Sequence, residues 1–196
     1  MKRIEKVAII TCVLSAMVCG PAQADFTKLY VFGDSLSDDG NVFALTRGAF
    51  PPSPPYAQHF SNGPVAVDQL AGHLGIGLTP FATGGTNYAV GGATTGTDNY
   101  LPTEYPPLGL GPALNNTGMQ TQVNTFTTAR PAFDPSTTLF VVWGGPNDFL
   151  LSPTPATAAQ AVTNLTNEIV AWSASALATS SSQICPTYPL RHLADP

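Results

Sequence analysis

The stretch Leu29-Tyr-Val-Phe-Gly-Asp-Ser-Leu-Ser-Asp38 decides how the rest of the chain is read. Four apolar, β-prone residues, Leu29 to Phe32, run straight into Gly33-Asp34-Ser35. A buried strand that stops on glycine and then presents Asp and Ser can hold a reactive hydroxyl at the edge of a sheet. The same tripeptide also serves as an ordinary turn capping a following helix. What the chain places beside it separates the two readings.

Two further stretches repeat the pattern. Thr86-Asn-Tyr-Ala-Val90 is a short strand candidate ending on Gly91-Gly92. Thr138-Leu-Phe-Val-Val-Trp143 is the strongest strand candidate, apolar throughout as a central parallel strand should be. It stops on Gly144-Gly145, followed by Pro146-Asn147-Asp148. Helical segments separate the strands. Val67, Leu70, Ala71 and Leu74 share one helix face, ended by Gly75. Met119, Val123 and Phe126 share another. Thr154 and Pro155 read as N-cap and first position of a helix through Ile169. A short helix-like segment is expected within 36–46. Asp68 and His73 lie off their stripe and read as solvated residues. The Pro-rich run Phe50 to Pro55 and the Pro/Gly/Asn-rich segment 96–118 read as loops.

This βα alternation predicts an α/β fold with a parallel sheet covered by helices on both faces. Ligands of such sheets bind beyond the carboxyl ends of the strands. Ser35, Gly91 and Asn147 would meet at that edge. A serine hydroxyl needs a base to become a nucleophile. The oxyanion formed by attack on an ester carbonyl needs preorganised donors, worth roughly 3–4 kcal/mol each. The Gly91 N–H, the Asn147 carboxamide and the Ser35 N–H are suitable donors.

The residues also carry a resemblance. Phe32-Gly-Asp-Ser-Leu-Ser37 resembles the first sequence block of the GDSL (SGNH) esterases and lipases. Asn87-Tyr-Ala-Val-Gly-Gly-Ala93 resembles their second block, and Gly145-Pro-Asn-Asp148 the G-x-N-D block. The version seen here looks most like the secreted, phospholipase-like branch. The resemblance implies a three-layer α/β/α sandwich similar to flavodoxin, and hydrolysis of small-molecule or lipid carboxylic esters without a cofactor. It implies Ser35 as nucleophile, Gly91 and Asn147 as the oxyanion hole, and supporting roles for Asp34 and Asp148.

Composition narrows the compartment and partners. The chain has 196 residues, 43% hydrophobic and only 10% charged. Lys2, Arg3 and Lys6 precede an apolar run from Val7 to Val18, then Ala22-Gln23-Ala24. This reads as a signal peptide over 1–24, cleaved after Ala24, on a secreted or periplasmic protein. The run is shorter than the ~20 residues a membrane span needs, so no transmembrane segment is expected after cleavage. Cleavage leaves Cys185 alone, so no internal disulfide is expected. His59, His73 and His192 have no metal-ligand spacing. Between Asp25 and Ala171, three basic residues face ten acidic ones, which argues against nucleic acid.

One family block is absent. The family's D-x-x-H, which supplies the general base and its orienting acid, has no counterpart; His192 and Asp195 stand in the reverse order. After Ala171 the amphipathic pattern fades. The expectation is therefore a partial hydrolase domain over 25–171, and an out-of-frame or disordered tail over 172–196 from a one-base frameshift near codons 171–172. A catalytically silent remnant and a secreted glycan- or surface-binding module are the competing readings. Sequencing the coding DNA tests the frameshift: the shifted frame is expected to encode D-x-x-H downstream, and its absence there would contradict the expectation.

Overall fold

The computed structural model describes residues 26–183. The expected signal segment, His192 and Asp195 lie outside them. Two strands form the sheet, β1 (Lys28–Gly33) and β2 (Thr138–Trp143), paired in parallel from Lys28↔Thr138 to Gly33↔Trp143. The segment 86–90 runs along the other edge of β1. The Tyr88 N–H donates to the Val31 carbonyl (2.7 Å) and the Val90 N–H to the Gly33 carbonyl (3.0 Å). All three predicted strand stretches therefore lie side by side, with β1 in the middle. The apolar β2, expected at the centre, is the outer strand among the described residues. Trp143 at its end is 53% exposed. An all-apolar run is also what a strand buried mainly on its two faces requires, so the pattern does not reveal which edge is open.

Among the described residues the α-helices are, in chain order, α1 (Asn41–Leu45), α2 (Ala66–Leu74), α3 (Leu101–Glu104), α4 (Gly111–Leu114), α5 (Met119–Ala129), α6 (Pro146–Leu151) and α7 (Pro155–Gln183). Side chains alternate across the sheet, and each face recruits its own helices. Leu29 and Val31, with Leu139 and Val141, pack against Val67 and Ala71 of α2. Tyr30 and Phe32, with Phe140 and Val142, pack against Val123 and Phe126 of α5 and Trp172 of α7. The result is an α/β fold in three layers. Phe126 is wholly buried, its ring edge-on to Tyr30 at 4.9 Å; burying a ring of this size is worth about 1.5–3 kcal/mol.

Helix ends follow local chemistry. Asp68 is not simply solvated: its Oδ2 accepts the Val65 N–H (3.0 Å) at the start of α2. Gly75 closes that helix in the left-handed region, φ 66°. Thr154 Oγ1 accepts the Thr157 N–H (3.1 Å), capping α7 as its sequence predicts. Segment 96–118, expected to be loop, winds into the single turns α3 and α4. Leu101 and Leu114 anchor them in a third apolar cluster with Val42 and Val90.

The boundary drawn at residue 171 coincides with no element end. Helix α7 runs through it, and the Trp172 ring stacks on Phe140 at 4.9 Å and 7°. One turn earlier Glu168 is buried, and neither carboxyl oxygen has a hydrogen-bond partner. Burial, then the charge of Asp148, pushes its carboxyl up to about 8. A carboxyl raised by folding favours the folded state below its unfolded value, and that contribution is lost as pH rises toward 8. Glu168→Gln is expected to raise the melting temperature at pH 9 and to change it little at pH 4. A gain independent of pH would contradict this.

Candidate active site

The site begins where β1 stops. Gly33 is clamped from α5: its N–H donates to Gln122 Oε1, and Gln122 Nε2 donates to its carbonyl, both at 2.9 Å. The chain then folds sharply. The Asp34 carbonyl accepts the N–H groups of Ser37 (3.1 Å) and Asp38 (3.0 Å), and Asp34 Oδ1 accepts that of Leu36 (3.0 Å). This Asx turn lifts Ser35 out of the strand, half-buried. Among the described residues its hydroxyl has no protein partner. Burial raises the Asp34 carboxyl above the ordinary range, the Leu36 N–H opposes that rise, and the charge of Asp148 adds to it.

Asp38 fixes the turn. Its buried carboxylate accepts N–H groups from Gly40 (2.8 Å), Asn41 (2.6 Å), Val42 (3.2 Å) and Gly91 (2.8 Å). Burial raises its carboxyl, and the four donors oppose that by holding the ionised form. Two buried asparagines add to the lattice. Asn41 Nδ2 donates to the carbonyls of Asn87 and Ala89 (2.8 Å each), and Asn87 Nδ2 donates to that of Ser37 (2.7 Å).

This network corrects one expectation. The Gly91 N–H is consumed by Asp38 and is not a free donor. The glycine lining the cavity with Ser35 and Asn147 is the next one, Gly92. Among the described residues no protein group takes the Gly92 N–H. Its φ of 79° lies in the left-handed region, and a Cβ there would collide with Asn99 Oδ1 and Leu101 Cγ.

Asn147 and Asp148 approach the same loop from α6. Asn147 is buried, and its Nδ2 donates to the Ala93 carbonyl (2.9 Å), which leaves a second amide hydrogen uncommitted. Asp148 does not face the cavity chemistry directly. It accepts the Thr95 N–H (2.9 Å) and hydroxyl (2.7 Å), and Asn164 of α7 donates to that hydroxyl (3.0 Å). Asp148 thus ties α6 to the loop bearing Gly92.

The cavity shared by Ser35, Gly92 and Asn147 measures about 380 Å³ and has aromatic walls, including Phe50, Tyr56 and Tyr105. Among the described residues no histidine lines it. His59 Nε2 contacts the Gly63 carbonyl at 2.7 Å, and His73 is exposed on α2. Among the described residues no group of three or more His, Cys, Asp or Glu is placed to hold a metal ion, and no helix is long and apolar enough to cross a membrane.

The groups that serine-based hydrolases as a class employ, a serine hydroxyl without a protein partner, a glycine N–H and a buried carboxamide, line one cavity of this α/β fold. Comparison with known sequences narrows the class. Residues 29–191 match the profile of the GDSL-like Lipase/Acylhydrolase family, and the chain belongs to that family. The match extends past residue 171. The chain is 34% identical over 147 residues to a phosphatidylcholine-sterol acyltransferase of Aeromonas hydrophila, covering 71% of this chain and 39% of that protein. It is 30% identical over 143 residues to a GDSL esterase/lipase of Arabidopsis thaliana, covering 63% and 35%. It is 36% identical over 127 residues to the thermolabile hemolysin of Vibrio parahaemolyticus, covering 63% and 25%. The chain thus spans well under half the length of each of these relatives.

The Asp38 lattice makes a stability prediction. Asp38→Ala strands four buried N–H groups and is expected to cost about 3 kcal/mol or more, read from the urea midpoint. A loss below about 1 kcal/mol would show that the turn holds without it.

Proposed function

We propose that this chain hydrolyses carboxylic esters through Ser35. The observation that supports this best is that Ser35, Gly92 and Asn147 line one cavity beyond the carboxyl ends of β1 and β2. Ser35 Oγ attacks the ester carbonyl carbon as its proton passes to a base. The carbonyl oxygen takes up the negative charge and is met by the N–H groups of Ser35 and Gly92 and the free amide hydrogen of Asn147. Collapse of the tetrahedral species breaks the bond to the alkoxy oxygen, which leaves with a proton as the alcohol. Water then releases the acid from the acyl-serine.

Asp34 and Asp148 shape the site without touching substrate: one forms the turn, the other anchors the glycine loop. Among the described residues neither His59 nor His73 is placed to act as the base. The names of the relatives, acyltransferase and esterase/lipase among them, favour lipid or small-molecule esters as substrates. The basic, apolar and A-x-A pattern of residues 1–24 supports export to the periplasm or beyond. We also propose 25–171 as the hydrolase part, with the coding DNA as the test of how 172–196 arose.

The test is hydrolysis of p-nitrophenyl butyrate by the purified chain. Turnover is expected to be slow, because loss of a triad base costs several orders of magnitude. Added imidazole is expected to accelerate it, and Ser35→Ala to abolish both rates. Asn147→Ala is expected to lower kcat by about 10²–10³-fold with KM little changed. Turnover that survives Ser35→Ala would refute the proposal.

A further inference from the structure

Ser35 borders two cavities. Besides the aromatic one that holds Gly92 and Asn147, a second of about 530 Å³ also reaches the serine. Its walls are mainly aliphatic: Leu36, Val65, Val67 and Leu70 from the turn and α2, with Val141 and Trp143 from β2. Among the described residues only Ser35 and Phe60 line both cavities. Phe60 thus stands beside Ser35 where both cavities meet, placed to act as a partition.

The partition has a built seat. A Cβ on Gly91 would overlap the Phe60 ring at Cε2 and Cζ, so the ring lies directly on that glycine. Phe50 meets it edge-on at 5.8 Å and Tyr56 lies at 6.2 Å. The backbone around it is tied down, with the Ser61 N–H on the His59 carbonyl and the Ala57 N–H on the Ser61 carbonyl, both 2.8 Å. With its N–H on Asp38, Gly91 serves as the floor of a wall and not as an oxyanion donor.

An ester carbon held at Ser35 has two substituents that must diverge, the acyl chain and the alkoxy group. We propose that Phe60, seated on Gly91, is a specificity-determining residue that sends these two arms into different cavities, with an aliphatic acyl chain in the cavity between α2 and β2. This rests on the hydrolase reading above. The aliphatic cavity offers few groups that would lose hydrogen bonds to water when a chain of methylenes enters. The aromatic one is lined by Tyr56, Tyr100 and Tyr105 with Asn147, a more polar set that suits the alkoxy arm. Each methylene buried is worth roughly fourfold in affinity.

Two readouts test this. The first is the dissociation constant of a dansylated undecanoic acid on the Ser35→Ala protein, which needs no turnover. The second is the ratio of kcat/KM for p-nitrophenyl laurate to that for the acetate, on the protein with Ser35 intact. Phe60→Ala is expected to weaken the acid and lower the ratio by roughly tenfold, as expected from losing contact with two or so methylenes. Phe60→Leu is expected to restore most of both. Leu70→Trp, which fills the aliphatic cavity from α2, is expected to weaken the acid as strongly, and circular dichroism checks that each variant is folded. A folded Phe60→Ala protein with the acid affinity and ratio unchanged would overturn the proposal. So would a folded Leu70→Trp protein that binds the acid normally, since the chain would then lie in the aromatic cavity. Tight binding of the acid without any turnover would refute the hydrolase reading alone. Turnover of the acetate without binding of the acid would refute this inference alone.

Discussion

The carboxylate of Asp38 joins two loops that share no sequence neighbourhood. Three of its donors come from the segment directly after it, and the fourth, the Gly91 N–H, from beyond the third extended segment. A buried carboxylate is tolerable only when hydrogen bonds replace its water. Here every replacement is a main-chain group, so the charge fixes backbone and not merely side chains. The position of Ser35 relative to Gly92 follows from that bond, because Gly92 is the next residue along.

The second tie comes from the other side. Asp148 holds Thr95 through backbone and hydroxyl, and Asn164 holds the same hydroxyl from α7. The glycine loop is thus gripped at both ends, by Asp38 near Gly91 and by Asp148 at Thr95. Preorganised donors stabilise an oxyanion because they need not reorient as the charge develops. In the proposed hydrolase, the grip on this loop would be the physical form of that preorganisation. Glu168 on α7 is buried without a hydrogen-bond partner, and burial with the charge of Asp148 raises its carboxyl to about 8.

Much of this was legible in the sequence. The three strands announce themselves as β-prone apolar runs stopped by glycine, and α2 by its apolar stripe and closing Gly75. Ser35 and Asn147 could be placed at one sheet edge from the sequence, since both stand just past a strand end, and both line the cavity there. Gly91 and Gly92 were not separable, because adjacent glycines look alike until φ and the partner of each N–H are known. Asn41 and Asn87 were missed because pattern reading treats a polar residue as solvated. The signal available was the Asp38-Asp-Gly-Asn41 run, which has the make-up of a carboxylate-nested turn. The outer position of β2 was hidden for a different reason: periodicity reports faces, not edges.

The central claim is that Ser35 attacks while Gly92 and Asn147 receive the charge. A crystal structure of the protein with an alkylboronic acid tests it most directly, because a tetrahedral boronate imitates the oxyanion. The account predicts boron bonded to Ser35 Oγ, with one boronate oxygen within hydrogen-bond distance of the Gly92 nitrogen and Asn147 Nδ2. A boronate bound elsewhere, or one whose oxygen takes the Gly91 N–H from Asp38, would contradict it.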